Sequence, residues 1–200
     1  QGASGVLNLG MADVGFTLTT LTASALGNTV NYRSDGNQTV EDVSYHHLIL
    51  STSGTKTLPA GLTHLTGSLT LSGTATNATT LADLDIDGDL SIANSAVLTV
   101  GAFNFNVDGN TSITGTSSSV NGKLTYGSAT GTKSFIGPVT IGGNGIWDNI
   151  NNAPVNFEGG LSFSGKTFTG GTGSYTFQTT AGQSIGGTVA LTIPNLVVDA

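Results

Sequence analysis

The side chains with the most obvious chemical potential are four aspartates at alternating positions between residues 83 and 89. The first six residues of this run match the D-x-D-x-D-G opening of an EF-hand calcium loop. Such a loop needs a bidentate Glu at its twelfth position, where this chain has Asn94, and it needs a helix on each side. Because no helical pattern flanks the run, the sequence predicts that it is not an EF-hand.

A different calcium site follows from the spacing of the acids. The same 21-residue spacing separates Asp87 from Asp108 and Asp89 from Asn110. If residues at this spacing are neighbours on adjacent strands, two carboxylates lie about 5 Å apart and repel unless water, a proton or a cation lies between them. One hypothesis is therefore an inter-turn Ca²⁺ bound by Asp87, Asp89 and Asp108. The alternative is a row of solvated acids that discourages sideways aggregation.

The three histidines, His46, His47 and His64, are a second candidate set of metal ligands. The 21-residue spacing places His64 beside Asp85, which predicts a His–Asp contact between neighbouring strands. The chain has no cysteine to complete a metal site, and the histidines do not form an i, i+4 helical pair. We therefore expect them at outward strand positions and not in a metal centre.

An enzyme hypothesis can be built on Asp85, Asp87 and Asp108. Polysaccharide hydrolases group two or three carboxylates on one face, and lyases combine Ca²⁺ with a basic residue. No long loop interrupts the repeat around these acids to form a cleft, and no Lys or Arg lies between Lys56 and Lys123. A catalytic site usually breaks the regularity of a repeat. We therefore expect no enzymatic activity; a carbohydrate-binding or carbohydrate-cleaving β-helix is the alternative.

Most aromatic residues alternate with polar residues and are predicted to stack as ladders in the core. Trp147 differs because it lies in the Gly- and Asn-rich segment 142–152, which we predict to be an insertion between strands. An indole exposed on a protruding loop could stack on a sugar. Trp147 is therefore the candidate ligand-binding residue for a surface glycan.

The candidate acids and His64 belong to a 21-residue repeat. Gly67, Gly88 and Gly109 fall in one column of the repeat, and a fixed period in this range indicates a repeat architecture. Triplets with mostly apolar flanks recur at the same spacing, and all but the first have a polar centre: Leu48–Leu50, Leu69–Leu71, Leu90–Ile92 and Thr111–Ile113. Three residues form a second, apolar column: Leu65, Ile86 and Val107.

The alternating runs are short and are bounded by Gly, Ser, Asn or Asp, which is typical of brief strands separated by turns. A unit of this size cannot form its own core and must stack on the next one. The sequence therefore predicts an all-β fold, a parallel β-solenoid (β-helix) of roughly nine turns. We expect one domain over residues 1–200, with regular turns in 46–115 and irregular turns in 116–200. A right-handed coil is expected, although neither handedness nor the number of strands per turn follows from the sequence.

Composition excludes two classes of partner. Only 8% of the residues are charged, with five basic residues and a formal net charge of −7, so the chain lacks the basic surface that binds DNA or RNA. No apolar run approaches the length of a membrane-spanning segment. Neither nucleic acid nor a membrane span is predicted.

A longer repeat brackets the regular one. Tyr32 precedes Gln38-Thr39-Val40, which is followed by His47–Leu50 and Gly54–Leu58, and Gln183-Ser184-Ile185 follows a second aromatic strand. This arrangement resembles the repeat regions of very large secreted surface proteins and adhesins of Bacteroidota-type bacteria, over nearly the whole chain. The resemblance implies a β-solenoid in an extracellular, cell-surface fibre or adhesin, with no catalytic residues. The second copy breaks off early, so we expect the array to continue past Ala200.

Function and partners follow from this architecture. We expect a structural or adhesive module of a bacterial extracellular surface fibre or large adhesin. Unpaired strands at the two ends of a solenoid template further pairing, which predicts self-association, either head-to-tail or laterally in a fibre. Apart from the hypothetical Ca²⁺, no cofactor is predicted.

Overall fold

The computed structural model describes residues 4–11, 18–178 and 182–199. Those ranges contain β-strands and no helix, and hence no helix long and apolar enough to cross a bilayer. In chain order the described strands are β1 (Val6–Leu9), β2 (Thr29–Tyr32), β3 (Gln38–Thr39), β4 (His47–Leu50), β5 (Ser53–Thr57), β6 (His64–Leu65), β7 (Leu69–Leu71), β8 (Ala75–Thr79), β9 (Leu84–Ile86), β10 (Leu90–Ile92), β11 (Val97–Val100), β12 (Phe105–Val107), β13 (Thr111–Ile113), β14 (Gly115–Ser117), β15 (Val120–Asn121), β16 (Lys123–Tyr126), β17 (Lys133–Phe135), β18 (Val139–Ile141), β19 (Ile146–Asp148), β20 (Val155–Phe157), β21 (Leu161–Phe163), β22 (Thr167–Thr169), β23 (Tyr175–Gln178), β24 (Ile185–Gly187) and β25 (Leu196–Asp199).

The strands coil into a parallel β-solenoid of about nine turns, as the sequence predicts. Each complete turn contributes one strand to each of three parallel sheets, so the number of strands per turn is three. Sheet 1 has nine strands, in the order β1-β2-β4-β7-β10-β13-β18-β21-β24. Sheet 2 has the order β3-β5-β8-β11-β16-β19-β22, and sheet 3 has the order β6-β9-β12-β17-β20-β23-β25.

Strand register confirms the 21-residue spacing in the middle of the chain. Leu90 pairs with Leu69 on one side and with Thr111 on the other, both at that spacing. The turns on either side differ in length: the turn from Val30 to its partner Leu48 is shorter, and the turn from Thr111 to its partner Val139 is longer. The period is therefore a property of the central turns, because turn loops can change length without disturbing the strands that pair.

The longest turn owes its length to a hairpin, and not to the segment predicted as an insertion. Strands β14 and β15 pair antiparallel across residues 115–121, between β13 and β16. Segment 142–152 instead contains β19, which pairs with β16 and β22 in sheet 2. The prediction of an insertion at 142–152 is wrong, because the segment holds a strand of the solenoid and its Gly and Asn residues form the tight turns on either side of that strand.

Alternation along each strand sends one set of side chains into a continuous core. In β7, Leu69 and Leu71 are buried and Thr70 lies on the outer face between them. Leucine, isoleucine and valine dominate the core of the central turns, and aromatic rings dominate it from Tyr126 to Phe177. The predicted aromatic ladders are present: the ring centroid of Phe157 lies 5.7 Å from that of Phe135 and 5.1 Å from that of Phe177.

A column of glycines forms one corner of the solenoid, where the chain passes from sheet 3 to sheet 1. A Cβ atom on Gly109 would lie 2.5 Å from the carbonyl carbon of Gly88, and one on Gly88 would lie 2.7 Å from that of Gly67. Separations under about 3.0 Å are not tolerated by real side chains. The column continues through Gly137 and Gly159, so the corner admits only glycine over five successive turns.

Candidate functional site

The acidic cluster lies on the outer face of sheet 3, across three neighbouring strands. Strands β6, β9 and β12 each bury alternate residues, so His64, Asp85 and Asn106 point outward at the same position of successive turns. Their Cα atoms pair in register, His64 with Asp85 and Asp85 with Asn106. The parallel stacking therefore brings together side chains that are separated in sequence by a full 21-residue repeat.

His64 contacts an aspartate of the next turn, as predicted, but its partner is not the one in the same column. Nε2 of His64 lies 2.8 Å from Oδ1 of Asp87, two positions beyond its register partner Asp85. Both side chains of this pair remain about half exposed, at 48% and 44%. Solvent therefore screens their attraction, and the pair adds little to stability.

Asparagine N–H groups donate hydrogen bonds to the other carboxylates of the cluster. Nδ2 of Asn106 donates to Oδ1 of Asp85 at 2.8 Å and to Oδ1 of Asp108 at 2.7 Å. Further along the strand, the backbone N–H of Asn110 donates to Asp89 at 2.7 Å. At the other end of the cluster, Asn104 donates to both carboxylate oxygens of Asp83. Asp83, Asp85 and Asp89 are thus each held by an asparagine of the next turn, and these hydrogen bonds to the charged carboxylates help to offset like-charge repulsion along the stack.

The structure groups a different set of potential metal ligands from the predicted one. His64, Asp85 and Asp87 each offer one ligand atom, and these atoms lie within 4.8 Å of one another. The predicted set was Asp87, Asp89 and Asp108. Of these, Asp89 is engaged by Asn110 and Asp108 by Asn106. The inter-turn calcium site stays a prediction. The sequence feature that could have identified His64 as a member of this group is the repeat column that it shares with Asp85.

The other two histidines lie away from this group. The rings of His46 and His47 contact each other, with centroids 4.1 Å apart. His46 is buried, so its predicted outward position is wrong, and its Nδ1 lies 3.1 Å from Oγ1 of Thr66. Nδ1 of His47 accepts a hydrogen bond from the backbone N–H of Ser68 at 3.0 Å. Burial, together with the neighbouring His46, lowers the pKa of His47, which favours the neutral ring that this bond requires.

Trp147 cannot stack on a sugar, because its indole is completely buried. It occupies the core column of sheet 2 between Leu124 and Phe168, and its ring is stacked on that of Phe168 at 5.7 Å. Nε1 donates to the hydroxyl of Tyr175 at 3.2 Å. The prediction of an exposed ligand-binding tryptophan is wrong because Ile146–Asp148 is a strand. A strand with Trp147 at its buried centre could have been predicted from Lys123-Leu124-Thr125, which has the same alternation at the same position of the preceding turn.

Two buried lysines, which the sequence did not predict, hydrogen-bond to backbone carbonyls inside the fold. Nζ of Lys133 donates to three backbone carbonyls, those of Phe103 at 2.6 Å and of Thr130 and Gly131 at 2.8 Å. Lys56 likewise donates to Ser34 and Gly36 of the preceding turn. Burial lowers the pKa of Lys133 to about 8, while Asp83 acts in the opposite direction. Each ammonium satisfies carbonyls at a corner where the chain leaves the sheets.

The surface around His64 is open. A shallow cavity of about 220 Å³ adjoins it, and is lined mainly by polar residues from two turns, among them Asp42, Thr63 and Thr66. The carboxylates and amides of the cluster stand on flat strands, so the arrangement can hydrogen-bond or hold a cation at the surface but does not enclose a small molecule.

Fold and surface together define a β-solenoid repeat protein with a hydroxyl- and amide-rich exterior. No family model matches the chain, and it matches neither a curated protein nor a solved structure.

Proposed function

We propose that this chain is a structural or adhesive module of a bacterial extracellular surface fibre or large adhesin. Support comes from three ladders of parallel strands that run through about nine turns around one continuous core. Strands of neighbouring turns lie about 4.8 Å apart, so the described solenoid is a rod about 40 Å long. The extracellular location is inferred from the resemblance of its repeats to those of secreted bacterial surface proteins.

The main support for the proposal is that residues 83–110, which hold the candidate catalytic and metal-binding acids, also lie in the most regular part of the repeat. Residues 83–110 lie in turns that pair at the 21-residue spacing, and three of their five acids are bonded to amides of the next turn. A site selected for catalysis usually departs from its repeat. A stretch that keeps both its register and its hydrogen bonds is better suited to stiffness than to reaction chemistry.

Stiffness along the axis has a clear physical source. Each central strand forms backbone hydrogen bonds with both neighbours, and its buried side chains pack against the same positions of the turns above and below. Bending the rod would separate the turns on its convex side, which breaks backbone hydrogen bonds there at about 1 kcal/mol for each bond lost. A solenoid of this type can therefore serve as a stalk or spacer.

Electron microscopy of the purified chain tests the proposal. We expect rod-shaped particles, alone or in filaments, with strands perpendicular to the long axis and hence an axial repeat of about 4.8 Å in diffraction. Compact globular particles with no such repeat would contradict the stalk function.

A carbohydrate-binding β-helix is the second candidate function. The observation that favours it is the row of outward carboxylates and amides on sheet 3, because such groups hydrogen-bond sugar hydroxyls. A glycan array probed with and without Ca²⁺ tests binding, and reducing-end release from acidic polysaccharides tests cleavage. If the wild type binds one glycan class and Asp85→Asn does not, the result would support carbohydrate binding. If the chain binds no glycan on the array and cleaves no polysaccharide, the second candidate function is contradicted and only the scaffold function remains.

A further inference from the structure

One corner of the solenoid, at the start of the sheet 1 strands, carries a ladder of hydrogen bonds between backbone and side chains. His47, Ser68, Asp89 and Asn110 occupy the same position of four successive turns, because the residues that follow them pair in register. Nδ1 of His47 accepts the N–H of Ser68 at 3.0 Å. In the next two turns, Oγ of Ser68 accepts the N–H of Asp89 at 3.1 Å, and Oδ1 of Asp89 accepts that of Asn110 at 2.7 Å. We call these three bonds the corner ladder.

The acceptors of the corner ladder differ in how they respond to pH. They are an imidazole nitrogen, a hydroxyl and a carboxylate. Among side chains, imidazole is the one that ordinarily changes charge between about pH 5 and pH 8. The ladder begins with this group and ends at Pro138, which follows Asn110 in the column and has no N–H to donate. The bond between His47 and Ser68 is therefore the step of the ladder that mild acid can break.

Protonation converts His47 from an acceptor into a donor. An imidazolium carries an N–H on both nitrogens, so Nδ1 can no longer accept the N–H of Ser68. The 3.0 Å between the two nitrogens leaves no room for a water molecule to bridge them. Gly67 closes the space beside them, since a Cβ atom on it would lie 2.7 Å from Nδ1 of His47. The two turns must therefore separate locally before Ser68 regains a hydrogen-bond partner.

The titratable group that faces His47 is His46. Their ring centroids are 4.1 Å apart, so two imidazolium charges here would repel each other. The preceding turn presents Thr29, the register partner of His47, and the following turn presents Ser68, and both are uncharged. Asp89 lies two turns along the column, about 10 Å away, which exceeds a Debye length of about 8 Å. A protonated His47 therefore gains little from that carboxylate.

We propose that the contact between the turn containing β4 and the turn containing β7 is an acid-sensitive joint: protonation of His47 releases the N–H of Ser68 and loosens these two turns, while the later bonds of the corner ladder stay closed. The response is local, because the later bonds do not involve an imidazole. This inference requires only the solenoid fold and goes beyond the proposed stalk or adhesive function. In a rod, such a joint confines acid-induced opening to one pair of turns.

Amide hydrogen exchange of the whole chain, followed residue by residue by NMR at about pH 7.5 and about pH 5.5, tests the proposal. Burial, together with His46, lowers the pKa of His47, so the opened turns bind the proton more tightly than the closed ones. The protection given by the bond is therefore complete above the ordinary imidazole pKa of about 6.5 and is lost as the pH falls below it. After correction for intrinsic exchange rates, we expect the protection of the Ser68 amide to fall about tenfold. The Asp89 amide, which is bonded to a hydroxyl, is the internal control and should change by less than about twofold.

His47→Asn keeps an acceptor at every pH. The chain already uses asparagine in this way, because Oδ1 of Asn37 accepts the N–H of Thr55 from the next turn at 2.9 Å. In this variant the Ser68 amide should be protected equally at both pH values. His64→Asn is the matched control: His64 lies on the outer face of sheet 3, and its substitution should leave the fall in Ser68 protection as it is in the wild type.

Two results would overturn the proposal. Equal changes in protection at Ser68 and Asp89 in the wild type would mean that mild acid does not act on this joint. A fall in Ser68 protection that persists in His47→Asn would assign the effect to another group. Circular dichroism and thermal melting confirm that each variant is folded, and the comparison of the two amides in the wild type needs no variant.

Discussion

Thr111 interrupts an otherwise apolar core column, between Leu90 and Val139 in sheet 1. The side chain is buried, and its hydroxyl oxygen has no hydrogen-bond partner. An unpaired buried hydroxyl costs about 1–3 kcal/mol relative to its exposure to water in the unfolded chain. Thr111→Val keeps the shape of the side chain and removes that cost. We expect a gain of about 1 kcal/mol in the free energy of unfolding, measured by urea denaturation.

Thr76→Val is the matched control for that substitution. Thr76 is equally buried, but its hydroxyl donates to the carbonyl of Ser72 at 2.7 Å. Valine there leaves a carbonyl without its donor, so stability should fall by about 1 kcal/mol. If Thr111→Val also lowers stability, the hydroxyl of Thr111 has a partner in solution, such as a buried water.

Lys133 gives the chain a pH dependence that can be assigned to one residue. Because burial lowers its pKa to about 8, the folded chain releases this proton at a lower pH than the unfolded chain, whose lysine titrates near 10.5. Between these values the unfolded state binds more protons, so the free energy of unfolding rises with pH. The contribution of Lys133 should grow by about 2 kcal/mol between about pH 7 and pH 9.5, and be constant at lower pH.

The measurement is urea denaturation across this range for wild type, Lys133→Met and Lys166→Met. Lys166 is exposed, so its substitution should preserve the rise. Lys133→Met should lower stability at neutral pH, because three carbonyls lose their donor, and should abolish the rise. An identical slope in all three proteins would show that Lys133 keeps an ordinary pKa in the fold.

The inter-turn calcium hypothesis makes a prediction at the same scale. If Asp87 and Asp108 share a cation, Ca²⁺ should raise the melting temperature of the wild type relative to EDTA, and Asp87→Asn or Asp108→Asn should remove the increase. In EDTA each variant should differ from the wild type by less than about 1 kcal/mol, because these acids are exposed. Equal melting temperatures of the wild type in Ca²⁺ and EDTA would contradict the hypothesis.

At the scale of the structural element, the glycine column sets how closely successive turns approach. The Cβ atom of Gly109→Ala would lie 2.5 Å from the carbonyl carbon and 2.6 Å from the carbonyl oxygen of Gly88. Both neighbours are backbone atoms held by strand pairing, so relief requires the two turns to separate. We expect a loss of about 3 kcal/mol, at the upper end of overpacking costs. Gly142→Ala has no atom closer than 4.0 Å and should change stability by less than about 0.5 kcal/mol.

Thermal and urea unfolding of these two variants test whether the glycine corner resists widening. A loss for Gly109→Ala no larger than that for Gly142→Ala would mean that the corner can widen at no cost. The turns would then be less rigidly spaced than a stalk requires.

The regular elements could be predicted because periodicity and side-chain alternation express the same geometry. Gly67, Gly88 and Gly109 stack as predicted, and so do Leu65 and Ile86, since a parallel register places equal positions above each other. Corners were harder to predict. The hairpin at 115–121 and the corner at 149–152 are both rich in small polar residues, but only the first protrudes. Composition identifies a corner without showing how many residues it contains.

The sequence could predict which residues of the candidate site are neighbours on adjacent turns, but not which side chains bond to each other. The 21-residue spacing places His64 beside Asp85, but the torsions of the side chains, which the spacing does not determine, bring His64 to Asp87. The buried lysines could not be predicted for a similar reason. Lys133 follows Phe105 in a core column, and only the neighbouring corner carbonyls make an ammonium acceptable there. Such compensation comes from residues far away in sequence.

At the scale of the whole molecule, a turn contacts mainly the turns before and after it, so stability is approximately a sum of turn and interface contributions. The hydrogen bond from Nζ of Lys166 to the carbonyl of Ser118, two turns earlier, is an exception. The contributions are unequal. From Tyr126 to Phe177 the core is an aromatic cluster, in which Trp147 lies within 5.7 Å of Phe135, Phe157 and Phe168. Strands β24 and β25 each pair with one described strand, and Ile185 and Val198 are exposed there. The described part of the rod should therefore open from its ends.

Amide hydrogen exchange tests this gradient turn by turn. We expect the slowest exchange in β17 and β20, which have aromatic neighbours on both sides, and the fastest in β24 and β25, where every second amide faces outward. Uniform exchange along the described strands would instead mean that this part of the solenoid opens as one cooperative unit.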